Sequence, residues 1–311
     1  MHNKNMIIRQ LFVHDYRPQT LLRVMGEDAF AFLQGQFTNE LRQAKPDSAV
    51  YGLWLNQKGR VIADSQVLGI GPNEFQMVSV NSPAADIRPR LESYIVADDV
   101  TLIDETETTH GLAVGGPGSG DIMQEVFGAI PPAGRYGRSG DLIAFAGRRV
   151  REENFEIIGP KKSLRALKEK FLEHGCVDVA LAEMELRRIQ AVIPAIPQDL
   201  GTADLPNEGG LEESAISYTK GCYLGQEVMA RLKNLGQVRR RLHLISGEGM
   251  AAPAQAPLYQ GQKKAGEIRS LARKGDGFVA IAMLSLLSLN REAGLSLGPD
   301  GPAHIRIHEH E

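Results

Sequence analysis

Cysteine is scarce in this chain, whose 311 residues include only Cys176 and Cys222. Two thiols are too few for a disulfide framework, a four-cysteine zinc site or an iron–sulfur cluster held by the cysteines of one chain. A chain of this length also buries enough apolar surface to fold without such cross-links. The sequence therefore predicts a reduced protein with no metal site of its own.

Long apolar runs are also absent. The longest, residues 278–287, is only ten residues long and contains Ser285, whereas a membrane-spanning helix needs about 20 residues. Residues 1–13 hold neither the apolar segment nor the small-residue cleavage site of a secretory signal. We therefore expect a soluble protein of the cytoplasm that does not engage a membrane.

Positive charge is not in excess, because 35 Lys and Arg residues face 38 Asp and Glu residues and the net charge is −3. Proteins that hold nucleic acid through its phosphates are usually more basic, which disfavours extended nucleic-acid binding. One segment is locally basic, and its cations are Lys220, Arg231, Lys233, Arg239, Arg240 and Arg241. Such a basic patch suits carboxylates or phosphates, although ordinary solvated charge explains it equally well.

The apolar pattern changes near residues 238–242. Before that point strands alternate with helices, among them predicted helices over residues 163–174 and 181–193, which is typical of α+β layers. After it, short apolar runs are separated by Gly, Pro and polar clusters, which predicts a small all-β module or barrel. Length alone favours two domains, at about 150 residues for each.

The most informative segment is residues 220–227, which read Lys-Gly-Cys-Tyr-Leu-Gly-Gln-Glu. Its two glycines predict a tight loop, and a helix is predicted to follow from Gln226. The helix dipole and the Lys220 ammonium would both favour the thiolate of Cys222, while Glu227 would oppose it. Cys222 is therefore a candidate reactive thiol, with a purely structural cysteine as the alternative.

These eight residues resemble the signature Lys-Gly-Cys-Tyr-x-Gly-Gln-Glu of the YgfZ family of folate-binding proteins. That family is related to the glycine-cleavage T protein, an aminomethyltransferase. Residues 32–39 (FLQGQFTN) resemble a second segment of the family, and residues 55–61 (LNQKGRV) resemble a third. Residues 185–194 and 231–242 match more loosely. The resemblance touches most of the first 242 residues, and length and β pattern support the remainder.

The resemblance implies an α+β fold of the T-protein type. In this cloverleaf, two interleaved α/β subdomains and a C-terminal β-barrel surround a central channel. We accordingly expect a folate-binding region over residues 1–240, with its second subdomain at approximately 50–180, and a barrel domain over residues 241–311.

The resemblance also implies that tetrahydrofolate, or a derivative of it, binds in the channel. The family is implicated in maintaining iron–sulfur enzymes, including those that thiolate tRNA. We therefore expect a folate-binding accessory protein for iron–sulfur cluster assembly or repair. Its expected partners are folate and iron–sulfur proteins or their assembly factors, with tRNA contacted indirectly.

The matching segments supply the candidate site residues. Those assigned to the functional loop are Cys222, Lys220 and Tyr223. Those assigned to folate are Gln190, Arg187, Asp64, Gln36, Thr38, Asn39, Gly221, Gly225, Gln226, Glu227 and Arg231. A pterin needs an apolar slot and a few directional polar groups, and the carboxylates of a folate tail need cations.

Two departures from the T protein bear on activity. Where that protein has paired acids, this chain reads Ala63-Asp64, so one acid remains. At the helix position where the T protein has a Glu that contacts the pterin, this chain has Gln190. A carboxylate only accepts hydrogen bonds, whereas the amide of a glutamine both donates and accepts them. Both changes argue against glycine cleavage. Two alternatives stay open: a folate-dependent one-carbon transferase with Asp64 as its base, and a tRNA-binding module that uses the basic patch.

Overall fold

The structure is a computed structural model of the chain and describes residues 10–42, 46–249, 252–287 and 289–308. In chain order the strands are β1 (Phe12–Tyr16), β2 (Thr20–Met25), β3 (Ala49–Leu55), β4 (Val61–Gly71), β5 (Glu74–Ser79), β6 (Thr101–Asp104), β7 (His110–Gly115), β8 (Tyr136–Ser139), β9 (Leu142–Ala146), β10 (Asn154–Gly159), β11 (Val177–Asp178), β12 (Arg240–Gly247), β13 (Pro257–Gln260), β14 (Lys263–Lys274), β15 (Gly277–Ser285) and β16 (Ile305–Ile307).

The α-helices are α1 (Ala29–Gln36), α2 (Ala84–Glu92), α3 (Ser119–Ile122), α4 (Lys161–Glu173), α5 (Leu181–Gln190) and α6 (Gln226–Leu235). A π-helical turn, Met123–Phe127, continues α3, and short 3-10 turns occupy Thr106–Thr108, Pro206–Gly209 and Arg291–Ala293. In the described part of the chain, no helix combines the length and the apolar character that crossing a membrane requires.

The described residues form three sheets, and two of these are interleaved along the chain. The first sheet has the strand order β11-β1-β7-β10-β9-β8, and the second has the order β3-β4-β5-β2-β6. The chain enters the first sheet with β1, leaves it to build the whole second sheet, and returns with β7. The predicted pair of interleaved α/β units is confirmed.

The first and second sheets pack against each other through buried apolar side chains. The second sheet contributes Leu21, Ala49, Leu68 and Val78, and the first contributes Tyr136, Ile143, Phe145 and Ile158. A fully buried Leu, Ile or Phe of this kind stabilises the fold by about 1.5–3 kcal/mol. This contact fixes the angle at which the two sheets meet, and the polar cleft described below opens beside it.

The third sheet is antiparallel, with the order β13-β14-β15-β12-β16. Bridges from Tyr259 to Ser296 and from Leu295 to Ile305 join its two edge strands through residues 295–296. The sheet therefore curls round as a barrel, as predicted, and encloses an apolar core that includes Phe278. Because β12 begins at Arg240, the barrel starts close to the expected position, although the division of the chain into domains stays a prediction.

A buried ion pair is one of the contacts through which helix α5 connects the barrel to the other sheets. The Arg188 guanidinium donates to the Asp199 carboxylate over 2.6 Å and to the Ser270 hydroxyl of β14 over 2.9 Å. The second oxygen of Asp199 accepts from Ser270, and its first also accepts from the Ala195 backbone N–H. Both ionic side chains are buried. These contacts hold helix α5, the loop that follows it and the barrel in one arrangement.

Two predicted helices differ slightly from the observed ones. The helix expected over residues 163–174 occupies Lys161–Glu173, and Gly175 follows it with φ of +88°. The helix expected over residues 181–193 ends at Gln190, because Val192 adopts φ of +54° and Pro194 disfavours helical backbone in the residue before it. The early end turns the chain toward the ion pair of Arg188.

We predict that Asp199→Asn lowers the free energy of unfolding by about 3–5 kcal/mol, because it leaves the buried Arg188 without its one fully buried anionic partner among the described residues. Urea denaturation followed by circular dichroism measures this change. The matched control is Glu185→Gln, which alters a second carboxylate paired to Arg188 but a much more exposed one. Its expected loss is below about 1 kcal/mol. Similar losses in the two variants would contradict the assigned role of Asp199.

Candidate functional site

A polar cleft opens where the first sheet, the second sheet and helix α5 meet. The volume that the centres of water-sized spheres can occupy in it is about 80 Å³, and its mouth opens to solvent. Its walls are formed by Tyr51, Asp64, Ser65, Gln66, Val78, Ser79, Val80, Asn81, Phe145, Ala146, Arg148, Arg149, Glu156, Met184, Glu185, Arg188, Ile193, Pro194 and Leu211. Small-molecule sites are typically clefts with apolar walls and a few precisely placed polar groups, and this cleft has both.

Asp64 stands on the wall that the second sheet provides. Side chains alternate along β4, so Ala63 points into the core while Asp64 faces the cleft. The Ser82 hydroxyl donates to one oxygen of Asp64 over 2.6 Å, and the Tyr51 hydroxyl donates to the other over 3.0 Å. Burial raises the pKa of Asp64, and these two hydrogen bonds oppose the rise. The cleft thus holds a fixed hydrogen-bond acceptor.

Arg148 lies over the Tyr51 ring, with its guanidinium carbon 3.9 Å from the ring centre. One guanidinium nitrogen also donates to the Ser214 hydroxyl over 3.2 Å. Burial, followed by the charge of Asp64, raises the pKa of Tyr51, so this phenol stays protonated and donates to the carboxylate. The result is a guanidinium held over an aromatic face, where its free N–H groups can bind a carboxylate.

The first sheet and helix α5 add two further arginine–carboxylate pairs to the cleft. Arg149 pairs with Glu156 over 2.7 Å, and Arg188 pairs with Glu185 over 2.8 Å. Sequence reasoning missed all of these residues, together with Tyr51 and Arg148. The adjacent arginines at 148 and 149 were the available signal, but no motif marked them.

Among the residues predicted to bind folate, Asp64 lines the cleft and the others do not. Gln190 is the last residue of α5, and it is half-buried outside the walls of the cleft. Arg187 packs over the Phe12 ring at 4.8 Å and pairs with Glu183. Neither Gln190 nor Arg187 is therefore among the residues that line this cleft with Asp64, and their assignment to folate stays a prediction.

Thr38 and Asn39 tie chain segments together. The buried Thr38 hydroxyl donates to the Ala215 carbonyl over 2.7 Å and accepts from the Leu53 N–H over 2.8 Å. The Asn39 amide donates to the Tyr51 carbonyl over 2.9 Å. These residues support β3, the strand that carries Tyr51, and they affect the cleft only through that strand.

Lys220 anchors the predicted cysteine loop. Its buried ammonium donates to the carbonyls of Gln34, Phe37 and Asn39 over 2.6–2.8 Å. Burial lowers the pKa of Lys220 to about 8, so it is mostly charged at neutral pH. An ammonium has three N–H donors, and all three are engaged here. Lys220 therefore positions the loop and has no N–H left for the thiolate of Cys222.

The two other residues assigned to the loop have opposite surroundings. Cys222 is exposed and does not line the cleft. Tyr223 is buried in the apolar cluster that joins α5 and α6 to the barrel, and this burial raises the pKa of its hydroxyl. The structure thus presents the Cys222 sulfur to solvent and uses the Tyr223 ring for packing.

The three segments that carried the family resemblance meet at one place. Gly225 has φ of +86°, and a Cβ there would lie 2.9 Å from the Asn56 carbonyl oxygen, so only glycine fits. The Leu224 N–H donates to the Gly35 carbonyl over 3.2 Å. Together with Lys220, these contacts join α1, the turn after β3 and the cysteine loop into one scaffold.

The remaining predicted residues lie on or near this scaffold. Gln36 ends α1, and Gln226 begins α6. Gly221, Glu227 and Arg231 are exposed. The structure brings these residues near the cysteine loop and not among the walls of the cleft.

The basic patch is smaller than its sequence suggests. Lys220 is buried, Arg240 pairs with Glu208 and Asp204, and Arg241 pairs with Glu212. Arg231, Lys233 and Arg239 remain as exposed cations. Half of the patch is therefore neutralised by neighbouring acids or engaged inside the protein.

Comparison with known proteins identifies a family model and several relatives that this chain matches. The family model described as the GCVT N-terminal domain matches residues 3–220. The tRNA-modifying protein YgfZ of Yersinia enterocolitica is 24% identical over 296 residues, which cover 92% of this chain and 88% of that protein. An aminomethyltransferase of Staphylococcus epidermidis is 23% identical over 278 residues, covering 84% of this chain and 75% of the relative.

A solved structure confirms the predicted fold. The crystal structure of the glycine cleavage system aminomethyltransferase T from Bartonella henselae superposes with a TM-score of 0.77. The match covers 92% of this chain and 81% of that chain at 19% sequence identity. The likeness in shape is therefore far stronger than the likeness in sequence, and it supports the T-protein-like architecture.

We predict that a thiol reagent such as iodoacetamide modifies Cys222 in the native protein and spares Cys176. Cys176 is buried in the core of the first sheet, and burial raises its pKa to about 11, whereas Cys222 is exposed. Intact-mass spectrometry should show one adduct before denaturation and two after it. Cys222→Ser is the control and should give no native adduct. Comparable labelling of the two cysteines would contradict the structure.

Proposed function

Because the chain belongs to the GCVT N-terminal domain family, we propose that it binds tetrahydrofolate or a derivative in the polar cleft. The observation that carries the proposal is the cleft itself, which combines an acceptor at Asp64, an aromatic face at Tyr51 and a cation at Arg148. Relatives named aminomethyltransferase support a one-carbon carrier as the ligand.

The donor set fits the chemistry of a folate. A pterin is flat and has a donor and acceptor edge, which needs a narrow apolar space with a few fixed polar groups. Phe145, Val78 and Met184 supply apolar walls. The carboxylates of a folate tail need a cation, and Arg148 offers one at the same cleft.

We propose an accessory role for the folate-loaded protein in iron–sulfur cluster assembly or repair in the cytoplasm. Relatives named tRNA-modifying protein YgfZ support a link to tRNA modification, which would follow indirectly through iron–sulfur enzymes that act on tRNA. Two cysteines are too few to hold a resident cluster, so the cluster belongs to the client protein. The exposed Cys222 is the group available to such a client.

A direct tRNA-binding role receives less support. Three of the six cations in the basic patch are buried or ion-paired, which leaves few charges to neutralise phosphates. The other alternative, one-carbon transfer, is favoured by the raised pKa of the Asp64 carboxyl, which strengthens it as a base. Turnover of an aminomethyl or methyl donor that Asp64→Asn abolishes would establish that alternative.

We predict that tetrahydrofolate raises the midpoint of thermal unfolding, with a shift that grows with ligand concentration. Arg148→Ala should weaken the affinity by about 10-fold or more, because the tail carboxylates lose a charged hydrogen-bond donor. Calorimetric titration measures the affinity.

The matched control is Arg138→Ala. Arg138 also lies over a tyrosine ring, that of Tyr136 at 5.2 Å, but outside the cleft. The affinity of the Arg138→Ala variant for tetrahydrofolate should equal that of the wild type. No binding at millimolar folate rejects the proposed ligand, and equal losses in the two variants reject the cleft as its site.

We predict that Cys222→Ser abolishes rescue of iron–sulfur enzyme activity in cells from which the gene has been deleted. Serine keeps the size and exposure of the side chain but removes the nucleophilic sulfur. Aconitase-type activity in extracts, normalised to the amount of protein, provides the measurement. Cys176→Ala is the control and should rescue, since that thiol is buried. Full rescue by Cys222→Ser would make the thiol dispensable.

A further inference from the structure

A second cavity adjoins the polar cleft and is the roomier of the two. Val80, Asn81 and Arg149 line both spaces. The centres of water-sized spheres can occupy about 440 Å³ of the second cavity, against about 80 Å³ of the cleft. Volumes of about 300–1,000 Å³ are typical of sites for small molecules. The proposed function leaves this larger space without a ligand.

One buried histidine lines the second cavity. His14 lies on β1 and is 6% exposed, and its Nδ1 donates to the Val179 carbonyl over 2.8 Å. A carbonyl oxygen only accepts, so Nδ1 carries a proton, and in the neutral ring Nε2 has a free lone pair. Nε2 has no hydrogen-bond partner among the described residues. Because Nδ1 is turned to Val179, the Nε2 edge of the ring is left to face the cavity.

The other polar groups of the second cavity indicate the charge of its ligand. Each Asp or Arg residue of its wall contacts an opposite charge: Asp15 with Lys168, Arg17 with Glu107 and Arg149 with Glu156. A charged ligand would therefore meet no unpaired opposite charge among the described residues of the wall. The carboxamides of Gln19, Asn81 and Gln198 are neutral and exposed at the rim, and each both donates and accepts hydrogen bonds. The cavity therefore favours a neutral ligand.

A hydroxyl is the neutral group that matches this set of partners. It has one donor and two acceptor positions, so it can donate to His14 Nε2 and accept from a carboxamide at the same time. The remaining wall is apolar and includes Val80, Ile196 and Leu181, of which Leu181 is 63% exposed. The carbon face of a ring that carries hydroxyls would cover this apolar surface and remove it from water.

We propose that the second cavity binds a neutral polyhydroxyl compound of about the size of a monosaccharide. His14 Nε2 accepts a hydrogen bond from one hydroxyl, and the carboxamides at the rim exchange hydrogen bonds with the neighbouring hydroxyls. The ligand differs in chemistry from folate and occupies a different space. The site is therefore tested separately from the proposed function.

The first test follows the ring nitrogens of isotope-labelled histidine by nuclear magnetic resonance while D-glucose is added. Before addition, His14 should show the tautomer protonated at Nδ1. D-Glucose should then shift the Nε2 signal of His14 until the site is saturated. D-Glucuronate, which carries a carboxylate on a similar ring, should bind about 5-fold or more weakly, because its charge loses hydration without gaining a partner. Absence of any shift at high millimolar D-glucose overturns the proposal, as does equal or tighter binding of D-glucuronate.

His14→Asn separates the roles of the two ring nitrogens. The asparagine amide can donate to the Val179 carbonyl as Nδ1 does, but nothing replaces Nε2. Affinity for D-glucose, measured by saturation transfer to the proton signals of the sugar, should fall about 5–10-fold. The matched control is His174→Asn, because His174 Nδ1 also donates to a backbone carbonyl, that of Lys170 over 2.7 Å, but outside the cavity. The control should bind like wild type, and equal affinity of His14→Asn and wild type overturns the assignment of His14.

Gln198→Ala keeps the test decisive if His14→Asn does not fold. Gln198 is exposed at the rim, so its removal should leave the thermal midpoint unchanged while affinity for D-glucose falls about 2–5-fold. Gln57→Ala is the control, since Gln57 is an exposed glutamine that does not line the cavity. Unchanged affinity in Gln198→Ala, or equal losses in the two variants, would overturn the proposed site.

Discussion

The arrangement of this protein depends on the buried ion pair between Arg188 and Asp199. One guanidinium contacts the loop after α5, the barrel strand β14 and, through Glu185, the wall of the cleft. Such a pair is rarely a large net source of stability, because both charges lose their hydration when buried. Its effect is geometric, since each partner has one position in which its hydrogen bonds are satisfied. The cleft keeps its shape because this helix cannot shift without breaking them.

The residues that identify the family and the residues that line the cleft are largely different sets. The recognisable segments build a scaffold in which Lys220 satisfies three backbone carbonyls and Gly225 allows a close approach to Asn56. The scaffold holds the strand that bears Tyr51 and presents Cys222 on the outside. The proposed cofactor site and the thiol are therefore separate features, and any communication between them passes through packed backbone and not through shared ligands.

Sequence reasoning anticipated the elements with strong local signals. Helix α4, the loop before α6 and the β character after residue 240 all follow from periodicity, glycines and short apolar runs. The cleft was harder to foresee because Arg149, Glu156 and Tyr51 lie on or beside strands of different sheets. Alternation along a strand tells which residues share a face, but not which faces meet across a tertiary contact. The lysine and tyrosine assigned to chemistry have packing roles for the same reason, because spacing alone does not reveal burial.

The contrast between the two thiols limits what oxidation can produce. Cys176 is enclosed by the core of the first sheet, so it cannot reach a sulfenic acid or a mixed disulfide formed at Cys222 while the fold is intact. Redox enzymes with a neighbouring resolving cysteine close such adducts within their own chain. Here the adduct persists until a second molecule with a thiol removes it, and the lifetime of the modified state is set by that molecule's concentration.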